Sequence, residues 1–133
     1  MMDIRTNMTI PVNRNGVHVG DLTFDPSNTA FARKFYEMQA VFRASKDRYI
    51  EDARKIPKED GLAFVALQER ICKDVYHEID GLFGDGTSAM VFGDAMSVDA
   101  IVQFLDAVAD CVSAERAKKT AKYTRVKDKV LRQ

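Results

Sequence analysis

Apolar residues first alternate with polar ones along this chain and then change period. Residues 9–12 and 17–24 are rich in Val, Ile, Thr and Leu, side chains that suit a pleated, half-buried surface. Asn13-Arg14-Asn15-Gly16 separates the two runs, and an Asn-Gly pair favours a tight two-residue turn. The pattern predicts a short N-terminal β-hairpin. Asp25-Pro26-Ser27-Asn28 ends it: Pro26 breaks the strand, and Ser27 or Asn28 can cap a following helix.

From Asn28 to Lys55 the period lengthens. Phe31, Phe35, Met38, Phe42, Ser45 and Tyr49 recur at alternating spacings of four and three, which puts them on one face of a helix. Two readings follow. The plainer makes the stripe core. The other leaves part of it, drawn from Phe31, Phe35, Met38, Phe42 and Tyr49, open to a partner. Ser45 weakens the distal half, so that end is expected to project into solvent. Ile56-Pro57 interrupts the pattern. A second helix is expected from Leu62 to Leu82, with Phe64, Leu67, Ile71, Val75, Ile79 and Leu82 on its apolar side and Gly84 as its terminating residue. Ser97 can cap a third helix from Val98, in which Val98, Ile101, Leu105, Val108 and Val112 share a face. This helix can continue through Ala117 and Ala121 toward Val130. The fold class is therefore mainly α: three amphipathic helices in a bundle with an N-terminal β-hairpin and a basic C-terminal tail. The organisation is a helical domain over 1–114 and an extension over 115–133.

The connector from Leu82 to Asp94 repeats Phe-Gly-Asp, at Phe83-Gly84-Asp85 and again at Phe92-Gly93-Asp94. A surface loop needs glycine and polar residues to turn, but not two phenylalanines. The expectation is a shaped loop pinned to the core at both ends, with Asp85 or Thr87 hydrogen-bonding nearby amides.

Charge changes this picture more than composition does. The 133 residues carry no net charge, yet from Glu115 onward eight basic residues face two acidic ones, a net of +6, so the rest carries −6. The bases are Arg116, Lys118, Lys119, Lys122, Arg125, Lys127, Lys129 and Arg132. Such a tail can bind nucleic acid through phosphate neutralisation, dock on an acidic protein surface, or only aid solubility. Tyr123 alone interrupts the charge, whereas single-strand binders stack bases on several aromatics. Protein contact is favoured for Lys118, Lys119, Lys122 and Arg125.

Candidate chemistry is thin. Gly84-Asp85-Gly86-Thr87-Ser88 lacks the glycine spacing and lysine of a phosphate-binding loop, and the ligand alternation of a calcium loop. Asp74, His77 and Asp80 lie three apart, but a metal would need a further ligand. Cys72 and Cys111 form no CxxC pair and read as reduced thiols. No nucleophile motif is present. No enzyme, cofactor or metal is expected. There is no apolar run of membrane-spanning length, and Met1-Met2-Asp3-Ile4-Arg5 lacks a signal-peptide layout, which points to the cytosol.

The chain resembles the small tail assembly chaperones of long-tailed bacteriophages, especially phages of Gram-positive hosts. The resemblance rests on Phe24-Asp25-Pro26-Ser27-Asn28 with Phe31-Ala32 and Phe35-Tyr36, on Ile79 through Ser88, on Val91-Phe92-Gly93-Asp94, and on Ala121-Lys122-Tyr123. It implies a helical, self-associating viral or prophage protein of the host cytoplasm. Such a chaperone binds the tape-measure protein, keeps it soluble, helps recruit tail-tube subunits, and leaves before the tail is complete. It also implies, for many members, a longer form made by ribosomal frameshifting. Two other functions stay open: a nucleic-acid-binding accessory protein using the basic tail, and a structural component of the virion tail.

Overall fold

The computed structural model describes residues 1–131, with side chains as far as Arg125. A two-stranded antiparallel sheet, β1 (Met8–Arg14) and β2 (Val17–Phe24), precedes four helices: α1 (Thr29–Arg54), α2 (Gly61–Phe83), α3 (Thr87–Phe92) and α4 (Val98–Leu131). The fold is mainly helical with an N-terminal hairpin. α4 runs unbroken through Glu115, so no change in secondary structure marks the expected boundary after residue 114. Lys127, Lys129 and Arg132 fall outside the described side chains.

The hairpin closes where the sequence places it. Arg14 pairs with Val17, leaving Asn15 and Gly16 in the turn at φ 52° and 80°. Both angles lie in the left-handed region, which Asn and Gly tolerate best and which matches the twist of the flanking strands. Met8 faces Phe24 and Ile10 faces Leu22. The alternation therefore turns Met8, Ile10, Leu22 and Phe24 inward and Thr9 and Thr23 outward, where their hydroxyls share a hydrogen bond of 3.1 Å.

Each helix start has a local cause. Asn28 Oδ1 accepts from the Ala30 N–H at 2.9 Å and opens α1. Asp60 Oδ1 accepts from the Ala63 N–H at 3.1 Å and opens α2. Ser97 Oγ accepts from the Ala100 N–H at 3.2 Å in the first turn of α4. Each occupies an otherwise unpaired amide of a first turn.

Asp25 fixes the strand-to-helix corner. It accepts from the Ser27 N–H at 2.9 Å, the Ser27 hydroxyl at 2.6 Å and the Thr6 hydroxyl at 2.7 Å. Burial alone would raise its carboxyl. The donors, chiefly Ser27 and Thr6, outweigh that and hold it below its ordinary value of 3.8. A carboxylate lowered by folding contributes stability that is complete above the unfolded pKa and is lost as pH falls through the folded one. The advantage of the native chain over Asp25→Asn in denaturation midpoint is therefore expected to shrink between about pH 6 and pH 3. Chemical denaturation at the two pH values checks this, and an unchanged difference removes the carboxylate from the account.

The core draws on β2 and all four helices: Leu22 and Phe24 from β2, Phe35 and Met38 from α1, Ile71, Val75 and Ile79 from α2, Phe92 from α3, and Ile101, Leu105, Val108 and Val112 from α4, with Met8, Ile10 and Val12 of β1 packed against it. Aromatic rings run through it. Phe24 stacks on Phe31 at 5.3 Å and meets Phe83 edge-on at 5.8 Å. Phe83 reaches Phe104 at 5.7 Å, Phe104 reaches Phe92 at 5.6 Å, and Phe92 stacks on Tyr76 at 4.8 Å. Both connector phenylalanines are thus anchored, as their size requires.

Candidate partner-binding surfaces

The connector is more ordered than a loop, because it contains α3. Asp80, on the last turns of α2, reaches the start of α3: one carboxylate oxygen accepts from the Ser88 N–H at 2.7 Å and the other from the Ser88 hydroxyl at 2.9 Å. Thr87 donates its hydroxyl to the Gly84 carbonyl at 2.7 Å, so Thr87, not Asp85, makes the local bond. At the other end Arg14 donates to the carbonyls of Met90 at 3.1 Å and Val91 at 3.4 Å. A cation on these last carbonyls also meets the negative end of the helix dipole. Gly93 follows at φ 61°, and a Cβ there would lie 2.7 Å from the Arg14 guanidinium. Asp80, Thr87, Ser88 and Arg14 are thus occupied in shaping the connector, while Asp85 is exposed. Among the described residues no cluster of three or more His, Cys, Asp or Glu is placed to hold a metal ion.

The α1 stripe faces inward. Phe35 and Met38 are buried, while Phe31, Phe42 and Tyr49 are half-buried against the core. Tyr49 donates to Asp74 at 3.0 Å. Burial, then the Asp74 carboxylate, hold its phenol above the ordinary value. The Arg70 guanidinium lies over its ring at 5.8 Å and pairs with Asp52 at 3.5 Å. In the single chain these residues join α1 to α2 and offer little surface.

Past Met38, α1 has no fully buried residue, and α2 has none before Leu67. The joined ends of α1 and α2 therefore extend beyond the core, as Ser45 foretells. This extension carries apolar side chains in water: Leu62 is 86% exposed, Val41 61%, Val65 47%, Ile50 44% and Phe64 43%. Phe64 lies on the expected apolar side of α2 but beyond the last core residue. The signal for this surface is the run Leu62-Ala63-Phe64-Val65-Ala66, which is apolar around a whole turn, whereas one buried stripe needs only part of it.

The distal half of α4 is a second extension. Lys118, Lys122, Tyr123 and Arg125 are exposed, and Lys119 is partly covered, 3.8 Å from Glu115. A third surface is concave. The inner side of β1 and the first half of α4 enclose an apolar groove of about 550 Å3, whose walls include Ile10, Val12, Phe104, Val108 and Cys111. No helix among the described residues is long and apolar enough to cross a membrane.

The model of one protein family, described as a family of unknown function (DUF6673), matches residues 15–132. No curated protein and no solved structure matches the chain.

Proposed function

The chain belongs to the DUF6673 family, a family of unknown function; from its exposed surfaces and the resemblance noted above, we propose that it is a tail assembly chaperone. It binds the tape-measure protein of a long-tailed phage, keeps that protein soluble in the host cytoplasm, and helps gather tail-tube subunits around it. The role is binding, not catalysis.

The observation that carries this reading is the uncovered apolar surface on the α1–α2 extension. A holdase must present apolar area to water without collapsing onto itself, and such patches on soluble chains mark contact sites. Leu62, Phe64 and Val65 do so from one helical turn of an extension whose two helices are tied together by Tyr49 with Asp74 and by Arg70 with Asp52. A shallow helix-lined surface suits the amphipathic helices of a long fibrous client, which dock through residues at i, i+3 and i+4. Direct readout of nucleic acid is less well supported, since the basic half of α4 offers one aromatic, Tyr123.

Co-expression with a tape-measure protein encoded beside it tests the reading. The expected result is a soluble complex that protects the client from aggregation. Leu62→Glu with Phe64→Glu, both on exposed positions, should weaken client capture at least tenfold while shifting the chaperone's own stability by no more than about 0.5 kcal/mol. Aggregation of the client regardless of the chaperone, or capture unaffected by the pair, overturns it.

A further inference from the structure

Charge is segregated along α4 in a way the fold of one chain does not use. From Val98 to Ala114 the helix holds Asp99, Asp106 and Asp110 and no base, while from Arg116 to Arg125 it holds five bases and no acid. Asp99, Asp106, Asp110, Lys118 and Arg125 are exposed, and none of them joins an ion pair among the described residues. The helix dipole favours an acid in the first turn and bases in the last, but Asp106, Asp110 and Lys118 lie well inside α4, beyond its reach.

The exposed positions also form one row. Asp99, Gln103, Asp106, Asp110, Ala114, Lys118, Ala121 and Arg125 follow each other at spacings of three or four, so a second helix can lie along them. Small side chains at Ala114 and Ala121 let it approach closely. Beside the acidic half of this row opens the apolar groove between β1 and α4, with Asp99 on its rim and Phe104, Val108 and Cys111 in its wall.

We propose that the occupant of this groove is the basic half of α4 from a second copy of the chain, the two helices lying antiparallel about a two-fold axis. In a two-fold pair the same patch serves both copies. Centring the pair near residue 112 sets Asp106 opposite Lys118 and Asp99 opposite Arg125, and the symmetry repeats both pairings. A parallel pair would instead stack acid on acid and base on base. The two roles divide by magnitude. Exposed ion pairs contribute roughly 0–1 kcal/mol each, so the charges set direction and register, and the apolar groove supplies most of the burial.

Sedimentation equilibrium of the purified full chain, with no client present, tests this independently of the chaperone reading. The expected result is a dimer whose dissociation constant rises about tenfold between roughly 50 and 500 mM salt. K118D/R125D should be monomeric where the native chain is dimeric, and so should D99K/D106K. Mixed one to one, the two variants should form a heterodimer, because every pairing then again joins opposite charges, two in the native sense and two with exchanged signs. The mixture also separates a lost interface from a misfolded chain, as does a native circular dichroism spectrum for each variant. A native chain that stays monomeric to about 1 mM, a dimer insensitive to K118D/R125D, or a mixture of folded variants that fails to pair overturns the proposal. Association driven by an acidic partner or by nucleic acid instead would leave the native chain monomeric here.

Discussion

Phe35→Ala is expected to lower the stability of the chain by about 4 kcal/mol, the largest single effect of any truncation in α1. Phe35 has no exposed surface. Its ring stacks on Phe31 at 6.3 Å and meets Tyr36 edge-on at 5.8 Å. The loss combines transfer of the ring to water with the cavity it leaves, which a packed surround only partly fills. Native domains hold some 5–15 kcal/mol in total, so thermal melting followed at 222 nm should show a midpoint lower by about 10–15 °C. The same variant decides between the two readings of the α1 stripe. If Phe35 served a partner from an open groove, its removal would leave the isolated chain within about 0.5 kcal/mol of native and abolish binding instead.

Asp80→Ala is the second, at about 2–3 kcal/mol. Hydrogen bonds to a charged acceptor contribute roughly 1.5–3 kcal/mol, and removing the acceptor strands its donors. Here two donors are stranded, the N–H and hydroxyl of Ser88, and Ser88 is buried. A helix of six residues has almost no stability of its own, so α3 depends on this carboxylate and on Arg14 at its other end. Hydrogen exchange should accelerate selectively over residues 87–92, ahead of global unfolding. Asp80→Asn keeps one accepting oxygen at similar volume and should cost about half as much. Equal losses for the two variants would mean that the carboxylate with both its oxygens is required and that the volume at this site does not matter.

The contrast between α1 and α3 shows what the chain makes legible. Asn28, the six-residue stripe and Pro57 are local signals, and α1 begins and ends within a residue of where they place it. The hairpin is legible for the same reason, because Asn15-Gly16 names its own turn. α3 is not: it is too short to establish a period, it lies among glycines that read as turns, and its cap comes from Asp80 one helix earlier. A cap supplied across a joint leaves no mark on the sequence of the helix it serves. Phe64 shows the complementary limit. Periodicity states which side of α2 is apolar, but not where the opposing elements stop, so a residue on the right side can still stand in water. Phe35 and Met38 show it from the other direction, since the stripe pattern alone serves a core and a groove equally well.

The bond from Arg14 to the carbonyls of Met90 and Val91 has a consequence for biosynthesis. The hairpin leaves the ribosome before the helices, and the segment that locks it is made 76 residues later. At bacterial or eukaryotic elongation rates that interval is on the order of 4–15 s. For all of it, the inward side chains Ile10, Leu22 and Phe24 have no α3 or α4 to cover them. The nascent chain therefore passes through a window in which it is itself a client for general holding factors, and the hairpin, made before the helices, is among the last of these elements to be secured.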